Sequence, residues 1–127
     1  MHRDVKPYNI LYDSGKKTLG IIDWGLAEFY KPGTEYNTKV SALFYKAPEL
    51  LLGYSKYDYS IDIWSLGCIF ASIIFQIVPF FQGKDNISQL VKISKTTGTD
   101  EIYEYIEKYK IGVKEAIFEA LKKCSIH

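Results

Sequence analysis

The longest run of apolar positions in the chain lies between Ser60 and Pro79. Ile61–Val78 is almost uniformly apolar, which is typical of a helix that lies in a core or in a membrane. Asp62 near the start, Gln76 near the end and the stop at Pro79 argue against a membrane span, which needs about 20 apolar residues. We therefore expect a buried central helix with Ser60 as its N-cap.

Two short apolar segments near the beginning of the chain flank a turn. Ile10–Asp13 is followed by the glycine-containing stretch 14–17 and then by Thr18–Ile22. Such a pair predicts a β-hairpin. The hairpin would hold Asn9 at the start of one strand and Asp23 at the end of the other, so that both lie at the same edge. The alternative is a solvent-exposed hairpin whose edge residues happen to be polar.

The second half of the chain returns to helical spacing. We expect one helix capped by Asp85 or Asn86, a second capped by Asp100, and a third, weaker helix over Val113–Leu121. The preceding stretch 23–49 has no clear periodicity, which is unusual inside a compact domain and often marks a functional segment. The predicted fold class is therefore mainly α with a short β-hairpin.

Composition limits the number of domains, the kinds of partner and the cellular location that we expect. A chain of 127 residues, 47% hydrophobic and 16% aromatic, is expected to form one globular domain. The net charge of +1 points to neither nucleic acid nor a membrane. Cys68 and Cys124 have neither a disulfide-framework nor a zinc-site spacing, and Cys68 is expected to be a small buried side chain. No signal peptide precedes His2, so the expected location is intracellular, cytoplasmic and/or nuclear.

Three short motifs in the first half carry the candidate chemistry. They are His2-Arg3-Asp4-Val5-Lys6-Pro7-Tyr8-Asn9, Asp23-Trp24-Gly25 and Ala47-Pro48-Glu49. Each is weak evidence alone, since Asp and Asn are ordinary turn-forming residues. Together, in this order and at these separations, they resemble the signature of the eukaryotic protein kinases.

The resemblance implies a role for each matching residue. Phosphoryl transfer needs mainly positioning and charge neutralisation, so Asp4 would accept the proton of the substrate hydroxyl and Lys6 would stabilise the transferring phosphoryl group. Asn9, the third catalytic residue, and Asp23 would bind the nucleotide through Mg²⁺, which favours carboxylate and amide oxygens. The implied cofactors are ATP, possibly GTP, and Mg²⁺. Asp62 would accept hydrogen bonds from the backbone of the catalytic loop; the alternative is a surface Asp favoured by the helix dipole.

Trp24 narrows the resemblance, because most kinases have Phe in the middle of this motif and Trp marks the catalytic (alpha) subunits of casein kinase II. The surrounding sequence is also similar to that group, in Ile22–Tyr30, Tyr57–Ser60, Trp64–Cys68 and Pro79–Phe81. The resemblance implies a constitutively active Ser/Thr kinase whose protein substrates carry acidic residues near the target hydroxyl. Trp24 would then help to hold the activation segment in its active form; a packed core aromatic is the plain alternative, and the two are compatible.

Substrate recognition by this group requires cations near the acceptor site. Lys39 and Lys46 stand where the family carries basic residues and are the candidate substrate-binding residues; the alternative is that both are merely solvated. Leu43 stands where the family has arginine, which predicts a weakened preference for acidic substrates. Ala42 stands where kinases of this group carry a hydroxyl that reaches the catalytic Asp and Lys, and the neighbouring Ser41 is expected to point elsewhere.

The kinase parts that cover the ATP phosphates have no counterpart in this sequence. Neither a glycine-rich loop nor the V-A-I-K lysine occurs, so we expect 1–127 to be a partial kinase domain, the C-terminal lobe without the N-terminal lobe. A regulatory beta subunit, which docks on the N-terminal lobe in the resembled kinase, is then not expected as a partner. The helix that normally packs on Ile61–Val78 is missing too, which predicts an exposed apolar patch and self-association.

Two other interpretations stay open. One is a non-catalytic fragment of a kinase C-terminal lobe, acting as a binding module or present as a truncated product. The other is a proline-directed kinase, which Tyr45–Gly53 also resembles. Trp24 argues against this second group.

Overall fold

The computed structural model describes residues 1–124, so that Ser125–His127, the end of the predicted domain, lie outside the described residues. The fold is mainly helical with one two-stranded hairpin, which confirms the predicted fold class. None of the helices within 1–124 combines the length and the hydropathy that crossing a bilayer requires. The elements are β1 (Ile10–Asp13), β2 (Thr18–Ile21), α1 (Pro48–Leu51), α2 (Ser60–Phe75), α3 (Asn86–Thr97), α4 (Asp100–Lys108) and α5 (Glu115–Cys124), with 3₁₀ turns at Pro7–Asn9 and Leu43–Tyr45.

The hairpin forms where it was predicted, with β1 and β2 pairing antiparallel. The carboxylate of Asp13 accepts two backbone N–H groups of the turn, which fixes the turn locally. β2 ends at Ile21 instead of Ile22, but the N–H of Ile22 still donates to the carbonyl oxygen of Asn9 at 2.9 Å. This bond continues the pairing beyond the strands and puts the backbones of Asn9 and Asp23 at the same end of the hairpin.

α2 is shorter than predicted. It begins at Ser60, with Tyr59 and not Ser60 at the N-cap, and ends at Phe75 instead of Val78. The end is set by Gln76, which adopts a left-handed conformation (φ 55°, ψ 36°) and donates its N–H to the carbonyl of Ser72. A residue in this conformation cannot continue a right-handed helix.

The prediction of an all-round buried central helix is wrong, because α2 is buried on one side only. Its buried residues follow helical spacing and are Ile61, Ser65, Cys68 and Ser72. Cys68 is 4% exposed, as predicted for a small buried side chain, and burial raises the pKa of its thiol to about 12. Outside this buried stripe α2 carries large exposed hydrophobic residues, namely Ile63, Leu66, Phe70, Ile73, Ile74 and Phe75. We call these six residues the outer face of α2.

The three helices predicted for the second half of the chain form, with shifted ends, whereas α1 was not predicted. α3 has Asp85 as its N-cap in a capping box with Ser88. α4 is capped by Thr99 rather than Asp100, which lies in the first turn, where a carboxylate also favours the helix dipole. α5 covers Glu115–Cys124 and not Val113–Leu121.

Two hydrophobic clusters hold these elements together. The larger one joins α1, α2, α3, α4 and α5 around Leu90, Ile93 and Leu121. The smaller one connects the irregular segment to the start of α2 and consists of Val40, Ala47, Leu50, Tyr57 and Ile61. The smaller cluster positions the irregular segment beside the first residues of the chain.

Candidate active site

The loop 2–9 is anchored on the first turn of α2. The N–H of His2 donates to Oδ2 of Asp62 at 2.7 Å, and the N–H of Arg3 donates to Oδ1 of the same carboxylate at 2.9 Å. Hydrogen bonds to an ionised carboxylate are short and strong. The predicted role of Asp62 is therefore confirmed, and the alternative of a surface Asp that serves only the helix dipole is wrong.

Asp4, Lys6 and Asn9 come together directly after this anchor. The side-chain amide of Asn9 donates to the carbonyl oxygen of Asp4 at 2.9 Å and to its Oδ2 at 3.2 Å. The Nζ of Lys6 lies 3.4 Å from the same Oδ2, and the side chains of Lys6 and Asp4 are 29% and 14% exposed. Asn9 itself is buried. The cluster thus holds a carboxylate between an amide and an ammonium group and leaves it reachable from solvent.

Asp23 follows β2, and its backbone lies at the same end of the hairpin as that of Asn9. Ile22, the residue before it, donates its N–H to Asn9 and accepts a hydrogen bond from Nε2 of His2 at 2.9 Å. Asp23 is exposed, and its Oδ1 accepts the N–H of Gly25 at 3.3 Å. Its φ of 58° lies in the left-handed region, a conformation that is uncommon for residues other than glycine and that clusters at functional sites.

The donor groups of Asn9 and Asp23 suit Mg²⁺. Both N–H positions of the Asn9 amide point to Asp4, which leaves its carbonyl oxygen as an acceptor. Asp23 uses one carboxylate oxygen locally and keeps the other. Over residues 1–124, no group of three or more His, Cys, Asp or Glu side chains is placed to hold a metal ion. Mg²⁺ does not need one, since it binds through one or two protein oxygens plus waters and phosphates.

Both candidate substrate-binding lysines line the same cleft as the catalytic cluster. This cleft, of about 1090 Å³, is lined by Asp4 and Lys6 and also by Lys39 and Lys46. Lys39 is exposed, whereas Lys46 is partly buried, and this burial lowers the pKa of its ammonium group. With Lys114 and Asp85, which also line it, the cleft holds four lysines and two carboxylates, one of which is the proton acceptor Asp4.

The residues at the family-divergent positions also border this cleft. Ser41, Ala42 and Leu43 line it, and Leu43 additionally packs against the larger hydrophobic cluster. The hydroxyl of Ser41 is buried and makes no hydrogen bond within the described part of the chain, and its φ is 68°. The only side-chain hydroxyl of this tripeptide is therefore left without a partner.

Trp24 does not lie in a core. Its side chain is 59% exposed, so the alternative of a packed core aromatic is wrong. The two strands of the hairpin are themselves almost entirely exposed within residues 1–124, so they do not bury such a ring. The indole N–H donates to the carbonyl of Ile21 at 3.1 Å, and the ring meets His2 edge-on with the ring centres 4.8 Å apart.

His2 has a structural role that the sequence analysis did not assign. Its Nδ1 accepts the N–H of Asp4 at 3.2 Å, while Nε2 donates to Ile22. One imidazole therefore links the catalytic loop to the end of the hairpin. Its position in the first motif is the signal that could have found it.

Arg3 and Tyr57 form a second connection that sequence reasoning missed. Nε of Arg3 donates to the carbonyl of Leu26 at 2.6 Å, and its guanidinium also donates to the hydroxyl of Tyr57 at 3.1 Å. That hydroxyl in turn donates to the carbonyl of Asn37 at 2.6 Å. These hydrogen bonds connect the loop 2–9 to two points of the irregular segment, Leu26 and Asn37, and to Tyr57, which precedes α2. Nothing in the spacing of Tyr57 indicates this role.

A comparison with protein families agrees with this geometry. The family model for the protein kinase domain matches residues 1–125, almost the full length of the chain. Members of this family are phosphotransferases that generally use ATP and Mg²⁺. With its catalytic loop, its hairpin and its helices in the order described, this chain belongs to the protein kinase domain family.

Proposed function

We propose that this chain is the C-terminal-lobe part of a serine/threonine kinase of casein kinase II alpha type. The proposed reaction transfers the γ-phosphate of ATP, or of GTP, to Ser or Thr residues near acidic side chains. The observation that carries the proposal is the cluster of Asp4, Lys6 and Asn9, held by hydrogen bonds and anchored on Asp62.

Asp4 supplies the acceptor for the proton of the substrate hydroxyl. The Asn9 amide and the Lys6 ammonium group, both within 3.4 Å of its Oδ2, keep the carboxylate oriented. Lys6 also offers a positive charge next to the site where negative charge is transferred. The substrate oxygen forms the new bond to phosphorus, the bond between phosphorus and the bridging oxygen breaks, and the nucleoside diphosphate leaves.

Asn9 and Asp23 would hold Mg²⁺ through the amide carbonyl oxygen and a carboxylate oxygen. When bound, this ion neutralises charge on the phosphates. Asn9 and Asp23 would hold the ion at a fixed place. The hydrogen bond from the N–H of Ile22 to the carbonyl of Asn9 sets the spacing of the two backbones at the end of the hairpin.

Two observations support the casein kinase II type within the family. The first is Trp24 in the Asp-Trp-Gly motif. The second is that Lys39 and Lys46 share the cleft of Asp4, where they could pair with acidic substrate residues. Leu43 contributes no charge, so the preference for acidic peptides is expected to be weaker than in a site with arginine at that position. Cytoplasmic and/or nuclear protein substrates fit this proposal.

Transfer of labelled phosphate from Mg²⁺-ATP to peptides tests the proposal. We expect phosphorylation of a Ser peptide with acidic residues after the target, and its loss in Asp4→Asn, which keeps the shape but removes the proton acceptor. Asp13→Asn, in the exposed turn of the hairpin, is the matched control and should retain activity. Activity that survives Asp4→Asn would overturn the assignment of the site. Equal rates of phosphorylation of acidic and neutral peptides would show that Lys39 and Lys46 do not take part in substrate recognition.

A non-catalytic kinase C-terminal lobe is the second candidate function. It is favoured by Ala42, which supplies no hydroxyl beside the catalytic cluster, and by the outer face of α2, which offers a binding surface. Absence of phosphotransfer from a folded chain would select this candidate.

A further inference from the structure

The catalytic cleft extends beyond the residues to which the proposed function gives a role. Part of its lining comes from the start of α3, from the turn before α5 and from α5 itself. We call this part the helical wall of the cleft, and its residues are Asp85, Asn86, Ile87, Gly112, Lys114 and Ile117. An extended peptide advances by about 3.3 Å per residue, so several residues on either side of a target hydroxyl fit into a cleft of about 1090 Å³.

Lys114 is the only lysine or arginine of the helical wall. Its side chain is exposed, and the residue directly precedes α5. Its carbonyl oxygen accepts the N–H of Ile117 at 2.9 Å, which holds the backbone of Lys114 at the start of the helix. Glu115, the next residue, does not line the cleft. Lys114 thus brings an ammonium group to the cleft from a backbone that is fixed by hydrogen bonding.

The two carboxylates of the cleft already have partners. Oδ2 of Asp4 lies 3.4 Å from Nζ of Lys6 and accepts the side-chain amide of Asn9. Oδ1 of Asp85 accepts the N–H of Ser88 at 2.7 Å, and the hydrogen bonds from Ser88 lower the pKa of Asp85. Asp85 therefore serves the N-terminus of α3, where a negative charge is favoured, and it forms no ion pair with a lysine within residues 1–124.

The other three lysines of the cleft have no carboxylate partner in the described part of the chain. They are Lys39, Lys46 and Lys114. Four lysines less two carboxylates give the cleft a formal charge of +2, whereas the whole chain has a net charge of +1. Partial burial lowers the pKa of Lys46, and a partly desolvated ammonium group is stabilised by an anionic partner. The charge of the cleft therefore favours a peptide with several carboxylates.

We propose that Lys114 is a specificity-determining residue that pairs with an acidic side chain of the bound peptide. This acidic residue is a different one from those that pair with Lys39 and Lys46, because Lys114 belongs to another wall of the cleft. The assignment rests on the proposed function, which takes the cleft as the place where the protein substrate binds. It narrows the substrate class to Ser or Thr within a peptide that carries acidic residues at two or more separate positions.

Binding of fluorescent peptides, measured by anisotropy without nucleotide, tests the assignment. The acidic peptide has Ala in place of the target Ser and six glutamates on each side, and the neutral peptide has glutamines instead. We expect Lys114→Gln to weaken binding of the acidic peptide by about threefold, the size of one solvent-exposed ion pair, and to leave binding of the neutral peptide unchanged.

A matched variant controls for the loss of charge itself. Lys92→Gln removes the same charge from an exposed position of α3 that does not line the cleft, so the affinity for the acidic peptide should stay the same. Salt at about 0.15 M screens charges that lie more than about 8 Å apart. An equal loss of affinity in Lys92→Gln and Lys114→Gln, or equal binding of the acidic and the neutral peptide, would overturn the proposal.

A charge swap locates the peptide residue that Lys114 contacts. Each glutamate of the acidic peptide is replaced in turn by lysine, and every peptide is measured with the unaltered chain and with Lys114→Glu. We expect the unaltered chain to bind more tightly at all positions except the one that contacts residue 114, where the order reverses. Lys39→Glu should reverse the order at a different position. Absence of a reversal with Lys114→Glu, or a reversal at the same position in both variants, would contradict the assignment.

Phosphotransfer is measured separately, so that the two proposals fail independently. With Ser in the acidic peptide, Lys114→Gln should raise KM by about the same threefold and leave kcat unchanged, since binding shared by substrate and transition state is lost. A chain that shows the reversal but transfers no phosphate would overturn the kinase assignment and keep Lys114 as a peptide-binding residue. Phosphotransfer without the reversal, or a lower kcat at unchanged KM, would overturn the role of Lys114 alone.

Discussion

The two ends of α2 differ in whether their side chains have contact partners. At the first turn, both carboxylate oxygens of Asp62 accept backbone N–H groups of the catalytic loop. In the last turns, Phe70, Ile73 and Ile74 are 55%, 66% and 70% exposed. The first end shows directional contacts with a defined partner. The second has strong hydrophobicity but no covering layer within residues 1–124.

This difference teaches what each kind of residue specifies. A carboxylate with two acceptor oxygens requires donors at set distances and angles, so it selects one loop in one conformation. The hydrophobic effect is non-directional. An apolar face is therefore stabilised by burial, but it does not determine which group covers it. The contrast explains why Asp62 has one defined partner, whereas the outer face of α2 does not determine which group would cover it.

Removing the anchor is expected to have the largest effect. Asp62→Ala leaves two backbone N–H groups of the loop without their acceptor, and loss of hydrogen bonds to a charged group should lower the free energy of unfolding by about 3 kcal/mol. Urea unfolding followed by circular dichroism measures this. Asp13→Ala, which removes only a turn contact, should cost less than about 1 kcal/mol. Equal losses in the two variants would show that Asp62 is no special anchor.

The next largest effect is expected from the loss of a hydrogen bond that lies beyond the C-terminal end of α2. The N–H of Gly83 donates to Oε1 of the fully buried Gln89 at 2.7 Å, and a Cβ at this position would collide with the backbone of Gln89. Gly83→Ala should therefore lower the free energy of unfolding by about 2 kcal/mol, as overpacking does. Gly20→Ala, where a Cβ meets open space, is the control in the same measurement.

Charging the outer face of α2 should change association more than stability. Ile73→Lys with Ile74→Lys breaks a contiguous apolar surface of the kind that causes self-association. We expect the weight-average mass in sedimentation equilibrium to fall towards that of a monomer, while the free energy of unfolding changes by less than about 0.5 kcal/mol. Leu19→Lys, on the exposed hairpin, should leave association unchanged. A monomeric starting chain would contradict the expectation.

The smallest effect is expected from pH. The raised pKa of Glu49 means that the folded state holds its proton more tightly than the unfolded state, whose value is near 4.5. Its contribution to stability is therefore complete below that value and is lost as pH rises through the folded-state pKa. Unfolding curves between pH 4 and pH 8 should show this decline in the unaltered chain and a weaker decline in Glu49→Gln. Identical pH profiles of stability for the two proteins would mean that burial does not raise the pKa of the Glu49 carboxyl group.

Much of the fold could be predicted because its signals are local. The hairpin follows from two short apolar segments around a glycine turn, and α3 begins at a capping box that the sequence contains. The end of α2 could not be predicted, since Gln76 takes the left-handed conformation where glycine or asparagine would be the usual signal. The exposure of Trp24 depends on the absence of a packing layer, which no local pattern reveals.

The candidate site divides in the same way. Asp4, Lys6 and Asn9 lie within one short loop that matches the kinase signature, so the resemblance could assign them together. Tyr57 reaches Arg3 across more than fifty residues of sequence, and no spacing rule indicates such a contact.

The imidazole of His2 limits which side chains that position can accept. Its Nδ1 accepts a hydrogen bond from the N–H of Asp4, and its Nε2 donates one to the carbonyl of Ile22, so the position needs an acceptor and a donor at two separate atoms of one side chain. An amide side chain offers both functions, but from a single carbon atom. Replacement of His2 by a side chain without both functions is therefore expected to loosen the loop from the hairpin.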